Sequence, residues 1–534
     1  MFCYSLSLCQ KKILSNKLDG VTFVTVTNVT PSILDVKEIF MSRTGLPRDD
    51  NLFYDITTLS ETPGIRSKAN LSYIRSALKE PETEVVSVTV NDTGIYQHLY
   101  RKITGLPPYA DIRLRHITGR HAENIIVWVP LAWNNRFMGT GGGGTGTGGE
   151  QYITVPDNTS RGQTLPKALL NGFACATTDA GNGKRQWAVE KGSFDWERYE
   201  NWRSRSTHFM TVIGKRVTEL LHDRPVDYSY FHGGSGGGRQ AMVEAQEWGT
   251  DYDGIWASCP AINWTKFLTE GYWPLAVMND AGHTLKAEKL MQATKAVRES
   301  VGGEDVFYRM RDRVDFNPQR LIGENGFTAA DADIVRQLWE GPRRNNGEFL
   351  WYGFRPGVQF WNVNIPVGGF YYQLLTKRVR PFFLCRHHFC WVMENEHFKE
   401  YDLSRERYEE LFDRSVSKFA SAAADKNDLH SFREYGGKLL IDHGTADPLI
   451  PVDGTLDYWK KVENREEFLR LYITPGDGHG TCNYHGPGLT ESTGMKALID
   501  WRERGKEPGT LPAIRVDRKG SIVERGTAEP YRED

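Results

Sequence analysis

The 534-residue sequence predicts an α/β protein: a mostly parallel central sheet flanked by helices, interrupted by one large insertion. Three observations predict it. From about residue 85 to 263, strand-sized apolar runs alternate with helical segments, the pattern of a parallel sheet covered on both faces. Between about 264 and 430 the rhythm gives way to helices and aromatic, irregular stretches, and strand signals return after it. At the centre stands Tyr228-Ser229-Tyr230-Phe231-His232-Gly233-Gly234-Ser235-Gly236-Gly237-Gly238-Arg239-Gln240. It reads as an aromatic strand, a glycine turn holding one serine, and the start of a helix.

Taken in order, Val21 to Val29 reads as a strand and residues 42 to 80 as polar covering structure. Val85 to Val90 and Ile112 to Ile117 alternate. Asn124 to Leu131 is a more continuous apolar run, suited to a strand buried on both faces. The glycine run Gly139 to Gly149 reads as a loop, and Gly172 to Asp179 as a buried strand with a turn. A helix through Val212, Val217 and Leu221 feeds the serine strand. Ala241, Met242, Ala245 and Trp248 form the apolar face of the next helix, with Gly249 at its end. Gly254 to Cys259 is another strand. In the insertion, Leu285 to Ser300 and Asp331 to Trp339 are helical, the second capped by Thr328. Phe349 to Phe354 and Phe370 to Gln373 are aromatic and irregular. Lys438 to Asp442 and Phe468 to Ile473 are strands. Glu491 to Arg504 is a helix stopped at Gly505. The expected organisation is a covering segment at 1–84, a core from 85–263 and 431–516, an insertion at 264–430 and a mobile tail at 517–534.

Composition excludes several classes. Hydrophobic residues are 39% and charged residues 25%, with a net charge of −2, so nothing favours nucleic acid or an anionic membrane. No apolar run approaches the roughly 18 residues that span a bilayer. The first ten residues lack a basic stretch and a sustained apolar run, so they make a poor signal peptide. Seven cysteines, odd in number and scattered, argue against a disulfide framework. A cytoplasmic location is expected, with secretion the alternative if the start is misassigned. The five sequons at Asn28, Asn70, Asn91, Asn158 and Asn263 decide little.

Gly233-Gly234-Ser235-Gly236-Gly237 satisfies G-x-S-x-G, which puts a serine on a crowded strand-to-helix turn with its Oγ exposed. A serine is a poor nucleophile unless a histidine takes its proton and an acid fixes that histidine. On this topology the order is Ser, Asp or Glu, then His, each on a loop after a strand. Asp447 follows the strand ending at Asp442, and His479 lies in the glycine-lined loop after Ile473. Asp442 and Asp453 compete for the acid role; His443, His485 and His232 are alternative histidines. Gly236 and one loop glycine among Gly141 to Gly144, assigned as Gly142, are candidate donors to an oxyanion, each worth roughly 3–4 kcal/mol of barrier. Gly139-x-Gly141-x-x-Gly144 also matches a dinucleotide pattern, but no acidic residue is well placed about 20 residues on. Cys385-Arg386-His387-His388-Phe389-Cys390 fits no common zinc spacing. No cofactor and no metal are expected, and the partner expected is a small-molecule ester.

Tyr228 to Gln240, Glu244-Ala245-Gln246, Asp253-Gly254-Ile255, Pro260-Ala261, Trp133 to Phe137 with the glycine run, Thr178-Asp179-Ala180-Gly181, His443-Gly444-x-x-Asp447 and Gly486-Pro487-Gly488 together resemble the tannase/feruloyl esterase family. The resemblance covers about residues 85 to 515. It implies an α/β-hydrolase fold, a Ser235–Asp447–His479 triad, a serine carboxylesterase acting through an acyl-enzyme on aromatic esters, and a lid formed by the insertion. The family usually bridges cysteines just before the serine and just after the histidine. Here those positions are Gly234 and Gly480. The family's calcium loop also has no matching ligand pattern between Gly302 and Pro318, so no calcium is expected. Lactone opening or acyl transfer on the same fold is the alternative; a non-catalytic dinucleotide-binding protein is a remote one.

Overall fold

Nine strands form the central sheet: β1 (Thr83–Asn91), β2 (Tyr109–Thr118), β3 (His121–Pro130), β4 (Arg136–Thr140), β5 (Ala174–Thr178), β6 (Tyr228–Gly234), β7 (Gly254–Ser258), β8 (Lys438–Gly444) and β9 (Leu469–Thr474). Their spatial order is β1-β2-β3-β5-β4-β6-β7-β8-β9. The pairs from β5 to β9 are all parallel, while β1, β2 and β3 join antiparallel at one edge. This computed structural model describes residues 52–98, 101–153, 164–182, 188–358, 381, 383–479, 485–517 and 521–533. The expected strand Val21 to Val29, the aromatic stretch Phe370 to Gln373 and Gly480 lie outside them.

Side-chain alternation explains the continuous apolar runs. Ile125, Val127 and Val129 of β3 pack in one core cluster, with Phe231, Leu439, Ile441 and Leu471. Ile126 and Trp128, with Met138, Tyr230, Leu440 and Tyr472, pack in another. Successive residues of a strand point to opposite faces, so a sheet covered on both sides needs apolar residues at every position.

Helices supply that cover. Leu71–Ala77 (α1) packs near β1, and Glu150–Ile153 (α2) and Leu165–Leu170 (α3) lie between β4 and β5. Ser206–His222 (α4) precedes β6 and Gly236–Glu247 (α5) follows it. The α5 helix ends at Glu247 with Trp248 as its C-cap, which puts Gly249 at the expected C′ position. The insertion contributes Trp264–Glu270 (α6), Trp273–Asp280 (α7), Ala287–Ser300 (α8), Ala329–Glu340 (α9), Phe383–Val392 (α10) and Arg405–Lys418 (α11). Their apolar faces meet in a third cluster containing Trp273, Leu338, Phe389 and Tyr408. Thr328 caps α9 in a reciprocal box with Asp331. Val452–Lys461 (α12) follows β8, and Glu491–Arg504 (α13) ends at Gly505, whose φ of 65° is a left-handed cap.

Two expectations are corrected. The glycine run is entered through a strand of its own, β4, because Arg136 to Thr140 pairs with both β6 and β5. The sequence there is too short and glycine-rich to advertise a strand. The segment 517–534, expected to be a mobile tail, includes Ile522–Ala528 (β11), which pairs antiparallel with Leu511–Val516 (β10). Tyr531 N–H also donates to Leu471 O at 2.6 Å, which ties the end of the chain to β9. Exposure alternates along β11, with Val523, Arg525 and Thr527 facing out, so only one face of the strand lies against the protein.

Candidate active site

Ser235 sits between the last residue of β6 and the first of α5, with φ 59° and ψ −119°. A non-glycine residue holds such a conformation at a cost of about 1–3 kcal/mol, so its surroundings must impose it. They do so through the backbone. Ser235 N–H donates to Ser258 O at 3.0 Å, and Ser235 O accepts from Arg239 and Ala261 N–H. A Cβ on Gly233 would lie 2.5 Å from Gly237 O, so only glycine fits beneath the serine.

The glycine loop after β4 lies directly on this turn. A Cβ on Gly236 would lie 2.4 Å from Gly144 O, and one on Gly237 would lie 2.7 Å from Gly142 O. The two backbones therefore touch, which explains the concentration of glycine at both places. Tyr152 of α2 braces the loop by donating its hydroxyl to Gly143 O at 2.7 Å.

Asp447 and His479 converge on Ser235 from the loops after β8 and β9. Ser235 Oγ is 2.8 Å from His479 Nε2, and His479 Nδ1 is 2.8 Å from Asp447 Oδ2. With the ring proton on Nδ1, His479 donates to the carboxylate and accepts from the serine. The other Asp447 oxygen accepts from Leu449 and Ile450 N–H at 2.8 and 2.9 Å. The two loops are laced together. Gly476 N–H donates to Thr445 Oγ1 and Ala446 N–H to Asp477 O, each at 2.9 Å.

The electrostatics follow from burial and pairing. Burial pushes the Asp447 carboxyl up, but the charge of His479 and the hydrogen bonds from His443 and His479 outweigh it and hold Asp447 well below the carboxylate range. Burial opposes charge on His479 too. The neighbouring Asp447 carboxylate outweighs it, with a smaller push from Cys259, and lifts the imidazole well above its ordinary value.

The competing residues lie elsewhere. Asp442 is buried within β8, accepting from Trp256 Nε1 at 2.8 Å and from Ser258 Oγ. Asp453 pairs with Arg355 at 2.7 Å. His232 stacks on Trp256 with ring centroids 3.9 Å apart, and His485 stacks on Tyr308 at 4.3 Å. His443 does join the site, but behind Asp447. Its Nε2 is 3.1 Å from Asp447 Oδ2 and its Nδ1 is 2.9 Å from Thr455 Oγ1. Cys385 to Cys390 lies on α10, where His388 bonds Ser415 Oγ at 2.6 Å.

The Gly142 assignment needs correction. Its N–H donates to Gln240 Oε1 at 3.0 Å, so it has no donor to spare. Gly141 N–H likewise points to His232 O, at 3.4 Å. Among the described residues no acceptor takes the N–H of Gly143 or Gly144. Gly144 N is 3.1 Å from where a Gly236 Cβ would be, which puts these free donors beside the Gly236 N–H at the start of α5. Gln240, missed in the sequence reading, orders this loop from one turn into α5.

The family model described as "Tannase and feruloyl esterase" matches residues 112–530. A probable feruloyl esterase of Arthroderma benhamiae is 32% identical over 451 residues, covering 77% of this chain and 79% of that protein. A tannase of Aspergillus oryzae is 24% identical, covering 74% of this chain and 78% of the other. Among solved structures, a tannin acyl hydrolase from Aspergillus niger superimposes with a TM-score of 0.71 at 20% identity, covering 89% of this chain and 93% of the other.

Proposed function

Since the chain belongs to the tannase and feruloyl esterase family and is a carboxylic ester hydrolase, we propose that it cleaves aromatic, gallate- or hydroxycinnamate-like esters through an acyl-enzyme on Ser235. The observation that carries this reading is the unbroken hydrogen-bond line from Ser235 Oγ through His479 to Asp447, 2.8 Å at each link. In this mechanism His479 Nε2 takes the serine proton as Oγ attacks the ester carbonyl. Asp447 keeps the ring proton on Nδ1 and stabilises the imidazolium that forms. The Gly236 N–H and a free N–H of Gly143 or Gly144 receive the oxyanion, each worth roughly 3–4 kcal/mol of barrier. His479 then protonates the leaving alcohol, and water repeats the sequence on the acyl-enzyme. The names of the relatives support a phenolic acyl or alcohol group, and the aromatic insertion suits a flat substrate.

The test is hydrolysis of methyl gallate, methyl ferulate and a set of lactones by wild-type protein and Ser235→Ala. Loss of activity in the variant, with fluorophosphonate labelling of Ser235 in the wild type, is the expected result. A wild-type protein inert to the whole set and unlabelled at Ser235 would sink the proposal. Product analysis with added alcohols separates hydrolysis from acyl transfer.

A further inference from the structure

Cys259 stands at the end of β7, its N–H donating to Asp442 O at 2.7 Å and its backbone at a left-handed φ of 35°. The residue is 2% exposed. Its thiol faces the reactive centre. Cys259 Sγ, a His479 ring nitrogen and an Asp447 carboxylate oxygen all lie within 4.8 Å of one another. The proposed mechanism has no use for a thiol there.

We propose that Cys259, His479 and Asp447 form an inhibitory site for a thiophilic divalent cation such as Zn²⁺. Sulfur, imidazole nitrogen and carboxylate oxygen are the donor set that zinc and cobalt accept in a tetrahedron, with one position left for water. Metal–ligand bonds of roughly 2.0–2.3 Å place such donors under about 4 Å apart, so closing the site takes small side-chain movements. Binding replaces the thiol proton, which passes to buffer, and occupies a lone pair of the His479 ring. Either nitrogen silences the base. An ion on Nε2 blocks the acceptor itself, and an ion on Nδ1 forces the remaining ring proton onto Nε2, where Ser235 can no longer deliver its own. Partly exposed Ser235 and His479 open the route by which an ester would enter. Among the described residues, a second three-donor group, His121, Asp195 and Glu197, has its acids occupied by Arg120 and includes no cysteine.

The ion binding stands independently of the proposed reaction; only its inhibitory effect rests on the triad reading. The experiment adds Co²⁺, then Zn²⁺, to wild type, Cys259→Ala and Cys259→Ser, with folding checked by circular dichroism. Wild type is expected to gain a thiolate-to-cobalt charge-transfer band and to lose at least tenfold of its aryl-ester hydrolysis under Zn²⁺, restored by chelator. Both variants are expected to lack the band and to change less than twofold with the ion, each relative to its own metal-free rate. A wild-type spectrum with no Cys259-dependent band would overturn the site, even if the esterase reading held. The band without loss of hydrolysis would overturn its inhibitory role, as would equal inhibition of the variants.

Discussion

One oxygen of Asp447, Oδ2, is shared by two histidines: His479 Nδ1 at 2.8 Å and His443 Nε2 at 3.1 Å. Both His443 and Asp447 are fully buried. His443 thus holds from behind the carboxylate that orients His479 from the front, and Thr455 fixes the His443 tautomer that can donate. His443→Ala should lower kcat about tenfold with KM little changed, the effect of loosening one buried hydrogen bond worth about 1–3 kcal/mol. His443→Gln, which can still donate, should recover part of the loss. Steady-state kinetics on methyl ferulate measure both, and a KM effect with kcat intact would contradict the positioning role.

Asp447→Asn should fold and bind but lower kcat by roughly 10³–10⁴-fold. The amide would hold His479 in the tautomer with its proton facing Ser235. Active-site titration with a fluorophosphonate should show correspondingly slow labelling.

Gln240→Leu removes the acceptor for Gly142 N–H at nearly constant volume. The loop carrying Gly143 and Gly144 should lose its register against α5, and kcat should fall about tenfold or more, since oxyanion donors act through their placement. Gly236→Ala should be more severe, because its Cβ would lie 2.4 Å from backbone at Gly144 O. Thermal unfolding of both variants distinguishes a displaced loop from a broken fold; unchanged kcat in Gln240→Leu would show that the loop needs no such tether.

Glu123 lies buried on β3, accepting from Thr178 Oγ1, and burial pushes its carboxyl up to about 8 from an ordinary 4.5. The folded state therefore holds a proton that the unfolded chain releases. The associated stability is fully present below about pH 4.5 and is lost as pH rises through about 8. Shifts of this size correspond to a few kcal/mol. Urea unfolding at pH 5 and pH 9 should show wild type losing that much more stability than Glu123→Gln across the range. Parallel behaviour of the two proteins would mean that Glu123 is ionised in the folded state.

Much of this molecule was legible in sequence because its signals are local. The strand–glycine–serine–glycine turn at Ser235, the apolar runs of β3 and β8, the Thr328 cap and the Gly505 stop each depend on neighbours within a few residues. The order of Ser235, Asp447 and His479 along the chain follows from the same local punctuation, read through one topology. What local signals leave open is which of several chemically equivalent groups meet across the fold. Asp442 and Asp447 are five residues apart, yet one turns into the sheet to meet Trp256 and Ser258 while the other reaches His479. Gly141, Gly142, Gly143 and Gly144 are identical in sequence terms; only the approach of α5 and Gln240 decides which N–H groups are taken. Cys259 is an unremarked strand end until β7 and the loop after β9 bring its thiol beside His479 and Asp447. Residue types and spacing determine the chemistry available to this chain. Distance and hydrogen-bond saturation, set by packing between segments 98 to 244 residues apart, decide which of those groups are free to act.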